Sequence, residues 1–319
     1  MIVAVIGLGL IGGSLALAMK AKGIATTVVG VEANAANAAK ALELGIVSEV
    51  VSLAQAVERA ELIVIAVPVD AIPQLAIKVL NKVTDRQIVI DVGSTKDELC
   101  EIISQHPARH RFVATHPMWG TEYSGPEAAT ADSFAGRNVV ICQKELSDAA
   151  AVATIEDIYR RLGMDILEMN AEQHDLHAAY VSHISHITSF ILSTTVLEKE
   201  REEETIFNLA GGGFDSTVRL AKSSADTWLP IFKQNKYNVL DVLREYIHQL
   251  NLFRKALERM TIRLLSRLLP AQIRLEEYYI NRYNNDRYYN QKTVDYSRSL
   301  LCRDSRADYR DRQSPCRIG

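Results

Sequence analysis

Residues 1–23 read MIVAVIGLGLIGGSLALAMKAKG: an apolar run, a glycine-rich turn and a helical pattern, in that order. The run MIVAVI has no polar alternation, as befits a strand covered on both faces. LALAMKAKG repeats apolar residues at helical spacing and closes on a glycine. Between them Gly7, Gly9 and Gly12 satisfy GxGxxG, and strand, turn and helix in succession are the context in which that motif carries weight. The first glycine allows a tight turn, the second lets a pyrophosphate approach the main chain, and the third lets the helix pack closely on the strand. A helix beginning near Leu10 and Ile11 would aim free N–H groups and its positive end at that phosphate. The next strand, TTVVGVE, ends in Glu32, where an acid would accept hydrogen bonds from both hydroxyls of an adenosine ribose. The same charge repels a 2′-phosphate, so the dinucleotide expected is NAD rather than NADP.

Working outward, ELIVIAVPV (61–69), RQIVIDVGS (86–94) and RFVATH (111–116) follow at the spacing of helical crossovers. Continuous apolar runs of this kind belong to parallel strands, which predicts a Rossmann-type doubly wound α/β sheet. NVVICQ and MDILEM read as further strands flanking the helix SDAAAVATIEDIYRRLG, so the sheet domain is expected over 1–168. Ligands of such sheets bind outside the carboxyl ends of the strands, which places Pro68, Ser94 and His116 on one rim. Pro117 biases His116 towards an extended backbone and so keeps it at a strand end. With the Ser94 hydroxyl on one ring nitrogen, the other nitrogen of His116 would be free to accept a proton. The plain alternatives are a histidine that bonds nearby backbone and a serine that caps a helix over 95–99.

The second half reads as helices over 169–258. AEQHDLHAAYVSHISHITSFILSTTVLEK (171–199) fits one long helix with four histidines. At about 100° per residue, His177, His183 and His186 fall about 300°, 180° and 120° from His174. The four therefore cannot converge on one ion, and no metal is expected. His183 and His186 share a face and could donate hydrogen bonds to an anionic substrate, or be core histidines. In NLAGGGFDSTVRLAKSSADTW (208–228) three glycines break the helix, Asp215 or Ser216 can cap the next, and Arg219 lies in its first turns. An arginine offers a planar fork matched to a carboxylate. The helix NKYNVLDVLREYIHQLNLFRKALE lines up Val239, Leu243, Ile247, Leu250 and Phe253, a face for core or for a subunit contact.

The 319-residue chain carries a net charge of −3, which conceals an asymmetry: −9 over 1–258 and +6 over 259–319. Twelve of the thirteen basic residues after 258 are arginine, and seven of the twelve tyrosines lie there. A nucleic-acid arm is disfavoured because the charges are mixed in sign. The segment reads instead as a weakly ordered extension, or as translation of a shifted frame, with MTIRLLSRLL able to add one short helix. No apolar run approaches the ~20 residues that span a bilayer, and no signal peptide is apparent, so a cytoplasmic location is expected. Cys100, Cys142, Cys302 and Cys316 lack CxxC spacing, which suits reduced thiols.

Taken together, IGLGLIGGSLA (6–16), VIDVGSTK (89–96), THPMWGTEYSGP (115–126), HDLHAAYVSHISH (174–186), AGGGFDSTVRLA (210–221) and the tryptophan of ADTWLPIF resemble the prephenate dehydrogenase family. The resemblance covers about residues 1–257 and implies a helical dimerisation domain after the nucleotide-binding one, and a homodimer. It implies oxidative decarboxylation of prephenate to 4-hydroxyphenylpyruvate with NAD+, with arogenate as the competing substrate. By the same match His116 would be the catalytic base, Ser94 its orienting serine and Arg219 the ligand of a substrate carboxylate. His186 would contact substrate, with His183 as the competing alignment, and Glu122 would gate or polarise the pocket. A β-hydroxyacid dehydrogenase would place a lysine where this chain offers Arg219, and a non-catalytic dinucleotide sensor would need neither His116 nor Arg219. The stretch after 257 departs from the family pattern. No mutase segment before Met1 and no regulatory ACT module are recognised, so inhibition by tyrosine is not implied.

Overall fold

The computed structural model describes residues 1–203, 205–262 and 265. Its strands are β1 (Ile2–Ile6), β2 (Thr27–Val31), β3 (Glu49–Val50), β4 (Leu62–Ile65), β5 (Ile88–Asp91), β6 (Phe112–Pro117), β7 (Asn138–Cys142) and β8 (Asp165–Met169). They form one sheet in the order β3-β2-β1-β4-β5-β6-β7-β8. The six strands β1 to β6 run parallel, β7 turns antiparallel against β6, and β8 is parallel to β7. The chain order reverses between β1 and β4, the switch point at which open α/β sheets bind ligands.

Helices α1 (Leu10–Ala21), α2 (Ala35–Glu43), α3 (Leu53–Arg59), α4 (Ile72–Leu80), α5 (Asp97–Ile103) and α6 (Ala149–Arg161) accompany the sheet. The absence of polar alternation in β1 has a direct structural counterpart. Val3 and Val5 enter a core with Leu15 and Met19 of α1 and Ile155 of α6. Ala4 and Ile6 enter a second core with Ala76 and Val79 of α4 and Leu99 and Ile103 of α5. Each strand residue is thus removed from water on one face or the other. Full burial of such a side chain contributes roughly 1.5–3 kcal/mol.

The helical half comprises α7 (Ala171–Ala178), α8 (Ile184–Glu200), α9 (Gly212–Val218), α10 (Ala225–Gln234) and α11 (Lys236–Glu258). The single helix expected over 171–199 is interrupted by a π-helical turn, Ala179–His183. Such a turn inserts extra chain into the helix and rotates everything beyond it, so angles counted at a uniform step from His174 fail for His183 and His186. Neither Asp215 nor Ser216 caps a helix. α9 starts inside the glycine run with Gly211 as N-cap, and Arg219 follows it in a 3₁₀ turn, Arg219–Lys222. Likewise Ser94 caps nothing: α5 begins at Asp97.

The chain divides into two compact units, 1–245 and 246–319, and the division falls within α11. Sheet, crossover helices and α7 to α10 all belong to the first unit. Of the tail expected over 259–319, all beyond Ile262 except Leu265 lies outside the described residues.

Candidate active site

The glycine turn between β1 and α1 has the shape a dinucleotide requires. Gly7 has φ +95°, and a Cβ on it would stand 2.4 Å from the Ala66 carbonyl oxygen. A Cβ on Gly12 would come within 2.1 Å of the Gly7 oxygen, whereas one on Gly9 would meet nothing within 4 Å. Gly7 and Gly12 are therefore demanded by the fold, and Gly9 leaves open the approach to the main chain. No side chain caps α1, so the first-turn N–H groups around Leu10 and Ile11 are available to a phosphate. Glu32, at the end of β2, accepts hydrogen bonds from Leu8 N (2.8 Å) and Asn34 N (2.9 Å). These bonds fix the carboxylate beside the turn, and its remaining lone pairs can accept ribose hydroxyls. Pro68 is exposed three residues beyond β4, on the same rim.

His116 is the penultimate residue of β6, and Ser94 lies three residues beyond the neighbouring strand β5, with which β6 pairs through Asp91 and Ala114. The ring of His116 is nevertheless not held by Ser94. Its Nδ1 lies 2.8 Å from Nε2 of His174, which is brought from α7. The Ser94 hydroxyl makes no hydrogen bond among the described residues. His174 in turn places Nδ1 2.7 Å from the Asp175 carboxylate, and that carboxylate accepts Lys96 N at 2.8 Å and Asp97 N at 3.0 Å. Asp175 thus does for α5 what the alternative reading of Ser94, as a helix cap, would have had it do. Burial pushes the His116 pKa well below 6.5, reinforced by His174, Lys96 and His183, so the ring rests neutral.

Beneath this rim Lys96 and Asp91 form a fully buried ion pair. Asp91 also accepts Gly93 N at 2.9 Å, and the Thr115 hydroxyl donates to the Asp91 main-chain oxygen. The pair ties the end of β5 to the start of α5 and to β6. Thr95 and Gln234 close the rim towards α10 through a 2.6 Å side-chain hydrogen bond.

The π turn directs His183 inward, where it is 1% exposed. Asn235 Nδ2 donates to the Asp175 main-chain oxygen at 2.7 Å and stands 3.1 Å from His183 Nδ1. The nitrogen facing Asn235 is therefore an acceptor, and neutral His183 carries its proton on Nε2. Burial pulls the His183 pKa down to about 4. His186 stacks on Trp228 with ring centroids 3.5 Å apart, and the same indole meets His183 edge-on at 5.8 Å. A further pair comes from segments distant in sequence: Arg219 donates to Glu122 Oε2 at 2.6 Å. The Glu122 carboxyl is held below its usual range by its own backbone N–H and by Arg219.

The structure therefore links His116, His183 and His186 in the first unit through four residues to which the sequence reading gave no role, His174, Asp175, Trp228 and Asn235, while Arg219 meets Glu122 and Ser94 makes no hydrogen bond to any of them. His174 and Asp175 stood in a quoted motif, and an acid next to a histidine was the one available signal. Asn235 had none. Among the described residues no three His, Cys, Asp or Glu side chains are grouped to hold a metal, and no helix is long and apolar enough to cross a membrane.

Comparison with known proteins fits this geometry. Residues 15–168 match the family model described as "Prephenate dehydrogenase, nucleotide-binding domain", and residues 170–270 match "Prephenate dehydrogenase, dimerization domain". The second match runs past residue 257, where the sequence pattern had suggested that the resemblance stops. The chain is 30% identical over 256 residues to a prephenate dehydrogenase of Bacillus subtilis, covering 79% of this chain and 69% of the relative. It is 31% identical over 258 residues to a cyclohexadienyl dehydrogenase of Zymomonas mobilis, covering 80% and 88%. Among solved structures it is similar to Aquifex aeolicus prephenate dehydrogenase in complex with hydroxyphenyl propionate and NAD+, with TM-score 0.80, 28% identity and coverage of 87% and 98%. A Synechocystis arogenate dehydrogenase gives TM-score 0.70 at 25% identity, covering 88% and 100%. With a glycine turn shaped for a dinucleotide, a histidine at the adjoining strand end and family models spanning most of its length, the chain belongs to the prephenate dehydrogenase family of oxidoreductases.

Proposed function

We propose that this protein is an NAD-dependent dehydrogenase that converts prephenate to 4-hydroxyphenylpyruvate and CO2, in tyrosine biosynthesis. The observation that carries this reading is His116: a neutral imidazole at the carboxyl end of β6, tethered through Nδ1, on the rim that the glycine turn shares.

Gly7, Gly9, Gly12 and Glu32 would hold NAD, which when bound would supply the hydride acceptor. His116 accepts the proton of the ring hydroxyl through Nε2 as hydride leaves the same carbon, a contribution of about 10²–10⁴-fold for base catalysis. Loss of CO2 then returns the C–C electron pair to the ring, which becomes aromatic, and the phenolate oxygen takes back the proton held on His116. Arg219 holds a substrate carboxylate by its planar fork, and Glu122 occupies that fork until substrate arrives. His186, braced by Trp228, meets the substrate's other end, and Ser94 offers an unengaged hydroxyl to the same pocket. The helical half supplies a homodimer contact, for which α8 presents exposed Ile191 and Leu197.

Initial-rate assays of the purified chain with prephenate and with arogenate, each with NAD+ and NADP+, test the proposal. Prephenate with NAD+ is expected to give the highest kcat/KM. A higher kcat/KM with arogenate would move the protein to the competing activity, and no turnover of either would remove both.

A further inference from the structure

We propose that His174 and Asp175 are positioning residues that set the tautomer of His116 and support the charge it acquires on taking a proton. The inference rests on the catalytic reading of His116 given above.

The direction of every hydrogen bond in this chain follows from its fixed end. The Asp175 carboxylate accepts two backbone N–H groups, from Lys96 and Asp97, and acts towards His174 as an acceptor too. The His174 nitrogen facing it, Nδ1, must then carry a proton. In a neutral imidazole the other nitrogen is a bare acceptor, and His174 Nε2 lies 2.8 Å from His116 Nδ1. His116 Nδ1 is accordingly the donor, which leaves Nε2 without a proton. That nitrogen is the one a base must present. The opposite tautomer would turn a hydrogen towards the substrate hydroxyl and could not accept its proton.

Burial makes the arrangement durable. His174 is 2% and Asp175 3% exposed, so no bulk water competes for their bonds. Asp175 is pinned by main chain at the start of α5, which the Lys96–Asp91 pair holds against the sheet. When substrate is oxidised, its O–H bond breaks, the proton passes to His116 Nε2, and the oxygen keeps the electron pair for the new carbonyl. His116 is then a cation whose Nδ1–H points through His174 to a carboxylate. Without that carboxylate the nearest groups acting on the ring, Lys96 and the histidines, all oppose the charge.

The state is readable without turnover. In the full-length protein with 15N-labelled histidine, observed near pH 8 and assigned with H116N, His116 Nδ1 is expected to be protonated and Nε2 bare. The reverse tautomer, or averaging between the two, overturns the proposal whatever the substrate proves to be. Kinetically, H174F and D175N are expected to lower kcat at least tenfold with the KM values for prephenate and NAD+ within about threefold. Lys96 and His183 remain in both variants. The acid limb of kcat should move to lower pH, because an imidazolium deprived of its carboxylate forms less readily. Loss confined to KM, or a lower kcat with an unmoved limb, would assign these residues to structure alone.

Discussion

Arg219 and Glu122, ninety-seven residues apart in the chain, meet in a 2.6 Å hydrogen-bonded ion pair. Half of the arginine side chain remains exposed, so solvent screens the pair and it contributes little to stability. Under the proposed function, the pair keeps a cationic fork extended where a substrate carboxylate would replace Glu122.

Arg219→Ala is therefore expected to raise KM for prephenate by about tenfold or more, the size of one charge-assisted pair, with a small change in kcat and in unfolding free energy. An unaltered KM would take Arg219 out of the substrate contacts.

As the proposed base His116 would work only when neutral, and burial has already pushed its pKa well below 6.5. A rate plateau through neutral pH is expected, with the acid limb of kcat below the ordinary histidine range. His116→Asn should lose about 10²–10⁴-fold in kcat while retaining NAD affinity by fluorescence titration. A limb at or above pH 6.5, or a variant with wild-type kcat, contradicts the base assignment.

His183 and His186, the two candidates for the substrate contact, are distinguishable by proton counting. His186 Nδ1 lies 3.2 Å from the Ser182 carbonyl, which can only accept, so the neutral ring offers a bare Nε2. Burial lowers the His186 pKa, with Arg219 acting in the same direction. Binding a carboxylate at His186 must then take up a proton near neutral pH, whereas His183 can donate from Nε2 while neutral. Calorimetry with hydroxyphenyl propionate in two buffers of different ionisation heat is expected to show uptake, abolished in His186→Asn. No uptake in the wild type would give the contact to His183.

Removal of one partner from the buried Lys96–Asp91 pair leaves an uncompensated charge. Lys96→Met is expected to cost about 3–5 kcal/mol, far more than removal of Glu122. Burial raises the Asp91 pKa, and loss of Lys96 raises it further. A carboxyl whose folded pKa exceeds its unfolded one favours folding most at low pH and loses that benefit as pH rises through the folded value. The deficit of Lys96→Met, measured by urea unfolding, should accordingly shrink as pH is lowered. A deficit below about 1 kcal/mol, typical of a surface change, would show that the pair is not a buried ion pair in solution.

Sequence alone was sufficient for the nucleotide-binding turn, the strand ends and the rim on which His116 stands. Apolar runs, glycine spacing and a proline act on the backbone within a few residues, and β1 to the Gly12 turn needs no distant partner to be read. Tertiary structure decided what touches the His116 ring. His174 reaches His116 across fifty-eight residues, Asn235 reaches His183 across fifty-two, and Asp175 displaces Ser94 as the partner of α5. The π turn at 179–183 changes the facing of every later residue in its helix, so a periodic count from His174 placed His183 on the wrong side. Such pairings depend on helix phase and packing between elements, which no local preference of the chain encodes.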